Sequence, residues 1–154
     1  MALFIGGRDS RHGIGHERRR YRSAFVPRYL TTEWFEAAQR ALDGNASLAA
    51  AAADLELVVQ QIVTDGPDGD VAYYLSLERG AVSIAAGQSP TPTVTFIQSW
   101  ETARAVEKGD LSAQGAFMTG RIRVRGDLTK LVEHASVLAG VDDVFGALRR
   151  DTDD

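Results

Sequence analysis

Residues 111–127, LSAQGAFMTGRIRVRGD, change from a helical pattern to a strand pattern within a short length of chain. In the first half, Gln114, Phe117 and Met118 follow the i, i+3, i+4 spacing that places side chains on one face of a helix. That face combines an amide with two large apolar groups. Such groups close a core or line a pocket for an apolar ligand, and the spacing leaves both interpretations open.

The second half of this stretch predicts a strand. Arginines at positions 121, 123 and 125 alternate with Ile122 and Val124, so the apolar side chains turn toward a core and the arginines toward water. Gly126 permits a turn, and Asp127 can cap a helix that follows. We therefore expect a helix, a strand and a second helix in direct succession.

The sequence before this stretch is rich in strand patterns. Apolar and polar residues alternate in segments that are bounded by turns containing Gly, Pro and Asp. Four strands are predicted as a meander of antiparallel neighbours, at residues 55–64, 71–78, 81–86 and 93–99. Residues 121–125 supply the fifth strand.

Helical periodicity occupies the rest of the body. One helix is predicted from Thr31 or Thr32 to Gly44, and a short one over the alanine run 49–53 after Ser47. The remaining helices are predicted at residues 100–108, 112–119, 128–139 and 141–150. Helices gathered on one face of a mainly antiparallel sheet make an α+β domain.

The quoted stretch resembles the sterol carrier protein 2 family, whose members carry a run of the form (S/P)-x-Q-x-A-F-x-x-G-(K/R)-(L/I)-(K/R)-(V/I)-x-G-(D/N). The matching positions are Ser112, Gln114, Ala116, Phe117, Gly120, Arg121, Ile122, Arg123, Val124, Gly126 and Asp127. The resemblance extends over about residues 31–141. It implies a bacterial, single-domain member, with a five-stranded, mainly antiparallel sheet and helices on one face that enclose an apolar tunnel.

The same resemblance implies a function and a site. Family members bind lipids in the tunnel, so we expect non-enzymatic binding or carriage of a fatty acyl, isoprenoid or sterol ligand. The candidate ligand-binding residues are Gln114, Phe117, Met118, Trp100, Leu131 and Phe145. A place in the core is the alternative for each large apolar side chain among them, and Trp34 has the same two interpretations.

Few residues suggest catalysis. His12 and His16 lie in an N-terminal segment rich in glycine and arginine, and His134 stands at the border of an apolar helical stripe without a partner acid or base. The sequence has no cysteine, and no histidine pair has the spacing of a metal site. We expect no catalytic residue, no metal site and no cofactor.

Charge divides the chain into two parts. Residues 1–30 hold seven arginines against two acidic residues, whereas residues 31–154 hold ten basic and nineteen acidic residues. We expect a basic N-terminal arm at 1–30, mobile or docked on the surface, before a lipid-binding domain at 31–154. The acidic body alone would repel nucleic acid and anionic lipid head groups, while the arm is suited to transient contact with an anionic membrane.

Length and composition bound the remaining possibilities. The 154 residues are the size of one domain, and no apolar run approaches the roughly 20 residues that span a bilayer. The absence of cysteine fits a reducing interior, so we expect a cytoplasmic protein. Two other interpretations stay open. The same cavity could serve a cyclase or accessory protein of a biosynthetic pathway. It could also be filled by the protein's own side chains, in a structural or partner-binding module.

Overall fold

The computed structural model describes residues 28–149, which contain a sheet of five strands. These are β1 (Glu56–Gly66), β2 (Gly69–Glu78), β3 (Ala81–Ala86), β4 (Val94–Ser99) and β5 (Ile122–Gly126). Each lies within two residues of its predicted ends, because each carries the alternation that a half-buried strand requires. The predicted basic arm falls outside the described residues except for 28–30.

The helices complete an α+β fold, as predicted. They are α1 (Thr32–Asp43), α2 (Ala46–Ala51), α3 (Trp100–Lys108), α4 (Ala113–Met118), α5 (Leu128–Glu133) and α6 (Ala135–Arg149). Side-chain caps start several of them: the Thr31 hydroxyl accepts a hydrogen bond from the Trp34 amide at 3.3 Å, which begins α1.

Two predicted helix boundaries are wrong. Helix α2 begins after Asn45, whose side chain accepts a hydrogen bond from the Leu48 amide at 2.9 Å, and not after Ser47. The helix predicted at 128–139 breaks at His134, and the next one starts at once instead of after Gly140. Gly140 continues α6 and lies next to Leu48 of α2, so the glycine serves helix packing and not chain termination.

The strand order is β3-β2-β1-β4-β5. Three of the four pairings are antiparallel, which confirms the mainly antiparallel sheet. The predicted meander is wrong at β4, which lies beside β1 and runs parallel to it. In this position Val94 and Phe96 are buried within the sheet, whereas a place outside β3 would leave them on an edge strand. Alternation alone does not encode which neighbour a strand chooses.

The connection from β3 to β4 is fastened by a buried glutamine. Gln60 Nε2 donates hydrogen bonds to Tyr73 O at 3.0 Å and to Gly87 O at 3.1 Å. Gln60 Oε1 accepts a third from the Ser89 amide at 2.8 Å. Because Gln60 alternates with the core residues of β1, these bonds hold the start of the connection on the face of the sheet away from the core.

The core lies between the sheet and the helices. Alternate residues of β1, such as Leu57 and Val59, are fully buried on the face that the helices cover. Trp34 of α1 is central to this core, with its ring centroid 6.4 Å from that of Tyr73 and 5.9 Å from that of Phe145. Fully burying a side chain of this kind stabilises the fold by about 1.5–3 kcal/mol or more, so these contacts dominate the packing.

The segment just before α1 also belongs to the core. Tyr29 and Leu30 are both buried there. The Tyr29 ring lies 5.4 Å from Trp34 and 5.4 Å from Trp100, and the Arg104 guanidinium stands 5.1 Å from its centre. These last two residues of the predicted arm thus pack with the body.

Candidate functional site

Helix α4 is held by hydrogen bonds at both of its ends. Ser112 Oγ accepts a hydrogen bond from the Gly115 amide at 2.9 Å, which starts the helix. At the other end Gly120 adopts a φ of 81°, and the Arg121 amide donates to Ala116 O at 2.8 Å. The chain therefore turns directly from α4 into β5.

A second turn leads from β5 into α5. Gly126 has a φ of 106°, and a β-carbon there would collide with the backbone of Thr93, so only glycine fits. The Asp127 amide donates to Thr93 O at 2.9 Å, and its carboxylate accepts a hydrogen bond from the Lys130 amide at 3.2 Å. The glycine and aspartate of the quoted stretch thus fix where α5 leaves the sheet.

The two sides of α4 have different environments. Ala113 and Ala116 are buried with Ile122 in a small cluster of their own, apart from the main core. Gln114 lies on the exposed side, with Phe117 48% exposed and Met118 79% exposed. The helix is therefore anchored through small side chains, and its large apolar ones are about half exposed or more.

Two more large apolar side chains are uncovered on the neighbouring helix α5. Leu128 is 46% exposed and Val132 is 74% exposed. We call Phe117, Met118, Leu128 and Val132 the apolar rim. Its members stand shortly before and shortly after β5 in the chain. These four are the exposed large hydrophobic side chains of the described residues, so they are the candidates for contact with an apolar ligand.

The other three predicted site residues lie deeper in the molecule. Leu131 of α5 is partly buried against the main core, and Trp100 is partly buried beside Tyr29. Phe145 of α6 is 1% exposed and packs against Trp34. The six predicted residues thus divide into an outer group on α4 and an inner group that touches or enters the core.

Beneath the helices lies a group of inward-facing polar residues that sequence reasoning did not single out. We call Tyr29, Gln61, Tyr73, Gln98 and Glu107 the buried polar cluster, since each is less than a tenth exposed. Gln98 Nε2 donates a hydrogen bond to Gln61 Oε1 at 3.3 Å. Gln98 Oε1 is buried and accepts no hydrogen bond from residues 28–149.

The tyrosines of this cluster are held in their neutral form. Burial is the main cause that raises the pKa of Tyr29 and of Tyr73, and the nearby Glu107 raises the pKa of both further. Arg104 opposes this effect at Tyr29, without reversing it. The two tyrosines lie close enough for each to influence the pKa of the other. They can donate and accept hydrogen bonds but are poor sources of a phenolate base.

One sequence signal could have located this cluster. Gln61 and Gln98 occupy positions that the alternation of β1 and β4 directs inward, where an apolar side chain is expected. An amide at such a position is buried and needs partners, so it indicates a polar interior. Tyr29 and Glu107 carry no comparable signal, because they come from a loop and a helix.

His134 follows the last residue of α5 and is partly buried. The residue lines an open groove of about 520 Å³ together with Arg79 and Lys130, beside the carboxylates of Asp54 and Glu56. Within residues 28–149 no three His, Asp or Glu side chains are grouped so that they could hold a metal ion. None of the helices in that range is both long and apolar enough to cross a membrane.

Solved structures share this arrangement of strands and helices. The conserved hypothetical protein TT1886 from Thermus thermophilus is 22% identical, with a TM-score of 0.63 over 82% of this chain and 92% of that one. A crystal structure of sterol carrier protein 2 is 22% identical, with a TM-score of 0.62 over 77% of this chain and 97% of that one. At this identity the likeness establishes the fold alone.

The fold also occurs inside a larger enzyme. A double mutant of the sec-alkyl sulfatase PisA1 is 21% identical, with a TM-score of 0.51 over 70% of this chain but only 16% of the sulfatase. No curated protein matches the chain significantly. The profile of the SCP-2 sterol transfer family matches residues 35–139, which include α4, β5 and α5. The chain therefore belongs to the SCP-2 sterol transfer family, and this membership implies binding or transfer of a lipid or sterol.

Proposed function

We propose that the protein binds and carries a hydrophobic, lipid-like molecule in an internal apolar tunnel, without catalysing its conversion. The observation that carries this proposal is the exposure of Phe117 and Met118. Phe117 matches the family pattern and Met118 follows it, and both leave apolar surface in water at a free-energy cost of about 25 cal/mol per Å². An apolar ligand would remove that cost.

The proposed site has an outer and an inner part. Phe117 and Met118 supply an apolar wall at the outer part, Leu131 adds apolar surface, and the Gln114 amide pairs with a polar head. Trp100 and Phe145 bound the inner end, where they meet the core. Each buried CH₂ group of a ligand contributes about 0.8 kcal/mol, so a long acyl chain, an isoprenoid or a sterol is favoured over a short acid.

A carrier role fits the polar groups of the described residues better than catalysis does. Near the apolar rim the predicted polar contact is the neutral amide of Gln114. The tyrosines of the buried polar cluster have raised pKa values, and an effective base at neutral pH needs a pKa near 7. A cyclase or an accessory protein of a biosynthetic pathway that uses the same cavity is the alternative, and it would need an acid and a base positioned at the ligand.

The test compares two phenylalanines in a fluorescent fatty-acid uptake assay, with urea unfolding measured in parallel. Phe117→Ala removes rim surface that is already half exposed, so we expect reduced uptake and a loss of about 1 kcal/mol in stability. Phe35→Ala is the matched control, since Phe35 is partly buried on α1 against the core. It should lose more stability and keep its uptake.

Two further measurements complete this test. Gln114→Leu should leave stability unchanged and shift the preference from ligands with polar heads toward wholly apolar ones. Native mass spectrometry of protein purified from its own host should detect a bound lipid by mass. Unchanged uptake in both Phe117→Ala and Gln114→Leu would reject the site, and a bound molecule that leaves chemically altered would favour the enzymatic alternative.

A further inference from the structure

The two edge strands of the sheet differ in charge. Among the described strands, β5 pairs only with β4 and β3 pairs only with β2, so each has one edge without a neighbouring strand. Strand β5 carries Arg123 and Arg125, both exposed, whereas residues 80–100, which include β3, contain no charged side chain. Charged side chains on an edge strand oppose its pairing with a further strand. The edge of β5 has this protection, and the edge of β3 lacks it.

A glutamine of α1 covers the edge of β3 instead. Gln39 Oε1 accepts a hydrogen bond from the Ile84 amide at 2.9 Å, and Gln39 Nε2 donates one to Val82 O at 3.2 Å. Alternate residues of an antiparallel edge strand direct their N–H and C=O groups away from the neighbouring strand, and Val82 and Ile84 are two such residues. The side-chain amide therefore bonds the groups that one residue of an added parallel strand would bond.

The orientation of this amide is fixed by its partners. Gln39 Nε2 also donates a hydrogen bond to Asp43 Oδ1 at 2.8 Å, one turn later in α1. Turning the amide by half a rotation would put Gln39 Oε1 against two acceptors, Val82 O and the Asp43 carboxylate, and Nε2 against the N–H of Ile84. Every one of these hydrogen bonds would then be lost. The amide is thus held with its donor toward Val82 and its acceptor toward Ile84.

Composition indicates which strand the edge of β3 would otherwise accept. Residues 81–86, AVSIAA, include neither a charged residue nor proline nor glycine, as is typical of segments that pair with their own copies. A second copy of the chain would bring β3 against β3 about a twofold axis, and no like charges would oppose the contact. Pairing of β5 with β5 would instead bring arginines against arginines.

We propose that Gln39 keeps the protein from pairing through β3 with a second copy of itself. Its side chain occupies the two edge groups that the second copy would need, and its removal opens the edge. This role concerns association of the protein, so it goes beyond the proposed function and does not depend on the cargo.

The test measures the molar mass of the full chain by sedimentation velocity over a range of concentrations. Gln39→Ala removes the amide and keeps α1, since alanine is the strongest helix former. We expect this variant to show a concentration-dependent doubling of the wild-type mass. Gln39→Met, which keeps the length of the side chain without its amide, should double in the same way. Arg40→Ala, at the next and exposed position, is the matched control and should sediment as the wild type does.

A second change identifies the surface that associates. Ser83 is exposed on β3, and Ser83→Lys added to Gln39→Ala should restore the wild-type mass, because it brings like charges together across a paired edge. Unchanged mass in both Gln39 variants would overturn the proposal, as would a doubling that persists with Ser83→Lys. A doubling in Gln39→Ala but not in Gln39→Met would assign the association to lost packing and reject a role for the amide.

Hydrogen exchange in dilute solution checks the contact itself. The Ile84 amide should exchange roughly fivefold faster in Gln39→Ala than in the wild type, the factor that one net hydrogen bond is worth. Amides of β3 that face β2, such as that of Ser83, should keep their rates. Equal rates for Ile84 in the two proteins would show that Gln39 does not hold this edge.

Discussion

The apolar rim and the buried polar cluster depart in opposite directions from the usual distribution of residues. The rim puts four large apolar side chains in water, and the cluster puts two amides, two tyrosines and a glutamate inside. Most polar groups of the cluster have partners inside the protein, and its tyrosines stay neutral. The described body leaves the rim side chains between 46% and 79% exposed. A buried polar group thus requires internal partners, whereas an exposed apolar side chain costs hydration free energy that a ligand or partner can remove.

The largest expected effect compares two phenylalanines from the inner and outer groups. Phe145→Ala should destabilise the protein by about 3–5 kcal/mol, because it opens a cavity beside Trp34 in the core. Phe117→Ala should cost several times less. Urea unfolding of the two variants checks this difference. A small loss at Phe145 combined with reduced lipid uptake would move that residue from the core to the wall of the ligand site.

A medium effect is expected from alkaline pH, which acts on the cluster and spares the rim. The unfolded chain loses a tyrosine proton near the ordinary value of 10.0, whereas burial raises the pKa of Tyr29 and Tyr73 in the folded state. Stability is therefore full below about pH 10 and falls above it, by up to about 1.4 kcal/mol per pH unit for each tyrosine.

Urea unfolding between about pH 8 and about pH 11 measures that decline. Tyr73→Phe should make the decline of stability with pH shallower. Tyr74→Phe is the matched control, since Tyr74 neighbours Tyr73 in β2 but is only partly buried, and it should leave the decline as it is. Equal slopes in all three proteins would mean that the cluster does not restrain its tyrosines.

The smallest effect concerns the amide that lacks a full set of partners. Gln98→Leu removes a buried oxygen that accepts no hydrogen bond from the described residues, and it also removes the Nε2 donor to Gln61, so the two effects oppose each other and we expect a net change in stability within about 1 kcal/mol. Gln61→Leu should instead cost about 1–3 kcal/mol, because it removes the oxygen to which the Gln98 amide donates. Thermal unfolding of both variants tests this order. A large loss in Gln98→Leu would show that its oxygen has a partner that the fold alone does not supply.

Much of the fold could be predicted from the sequence because strands and helices follow local periodicity. The alternation in β1 to β5 located all five strands, and the turn at Gly126 and Asp127 located the start of α5. The position of β4 could not be predicted, since pairing with β1 depends on contacts far away in the chain. The start of α6 was predicted wrongly at Gly140, because a glycine can serve helix packing as well as helix termination.

The candidate site was predicted less completely than the fold. Periodicity placed Gln114, Phe117 and Met118 on one face of α4 but could not say what covers that face. It likewise gave no reason to separate Phe145, which is in the core, from the exposed rim residues. The inward amides Gln61 and Gln98 were visible in the strand patterns. Their significance depends on Tyr29 and Glu107, which other elements bring to them.

The glutamine that fastens the β3–β4 connection has a consequence for the order of folding. Strands β1, β2 and β3 are joined by tight turns and can form early, whereas β4 must return past two strands before it pairs. Gln60 bonds β2 and the start of the connection, so these contacts can form once β3 is in place and before β4 pairs. We expect the backbone amides of β4 to gain protection from hydrogen exchange late, after those of β2 and β3. Pulse-labelling during refolding measures that sequence of events, and simultaneous protection of all three strands would contradict it.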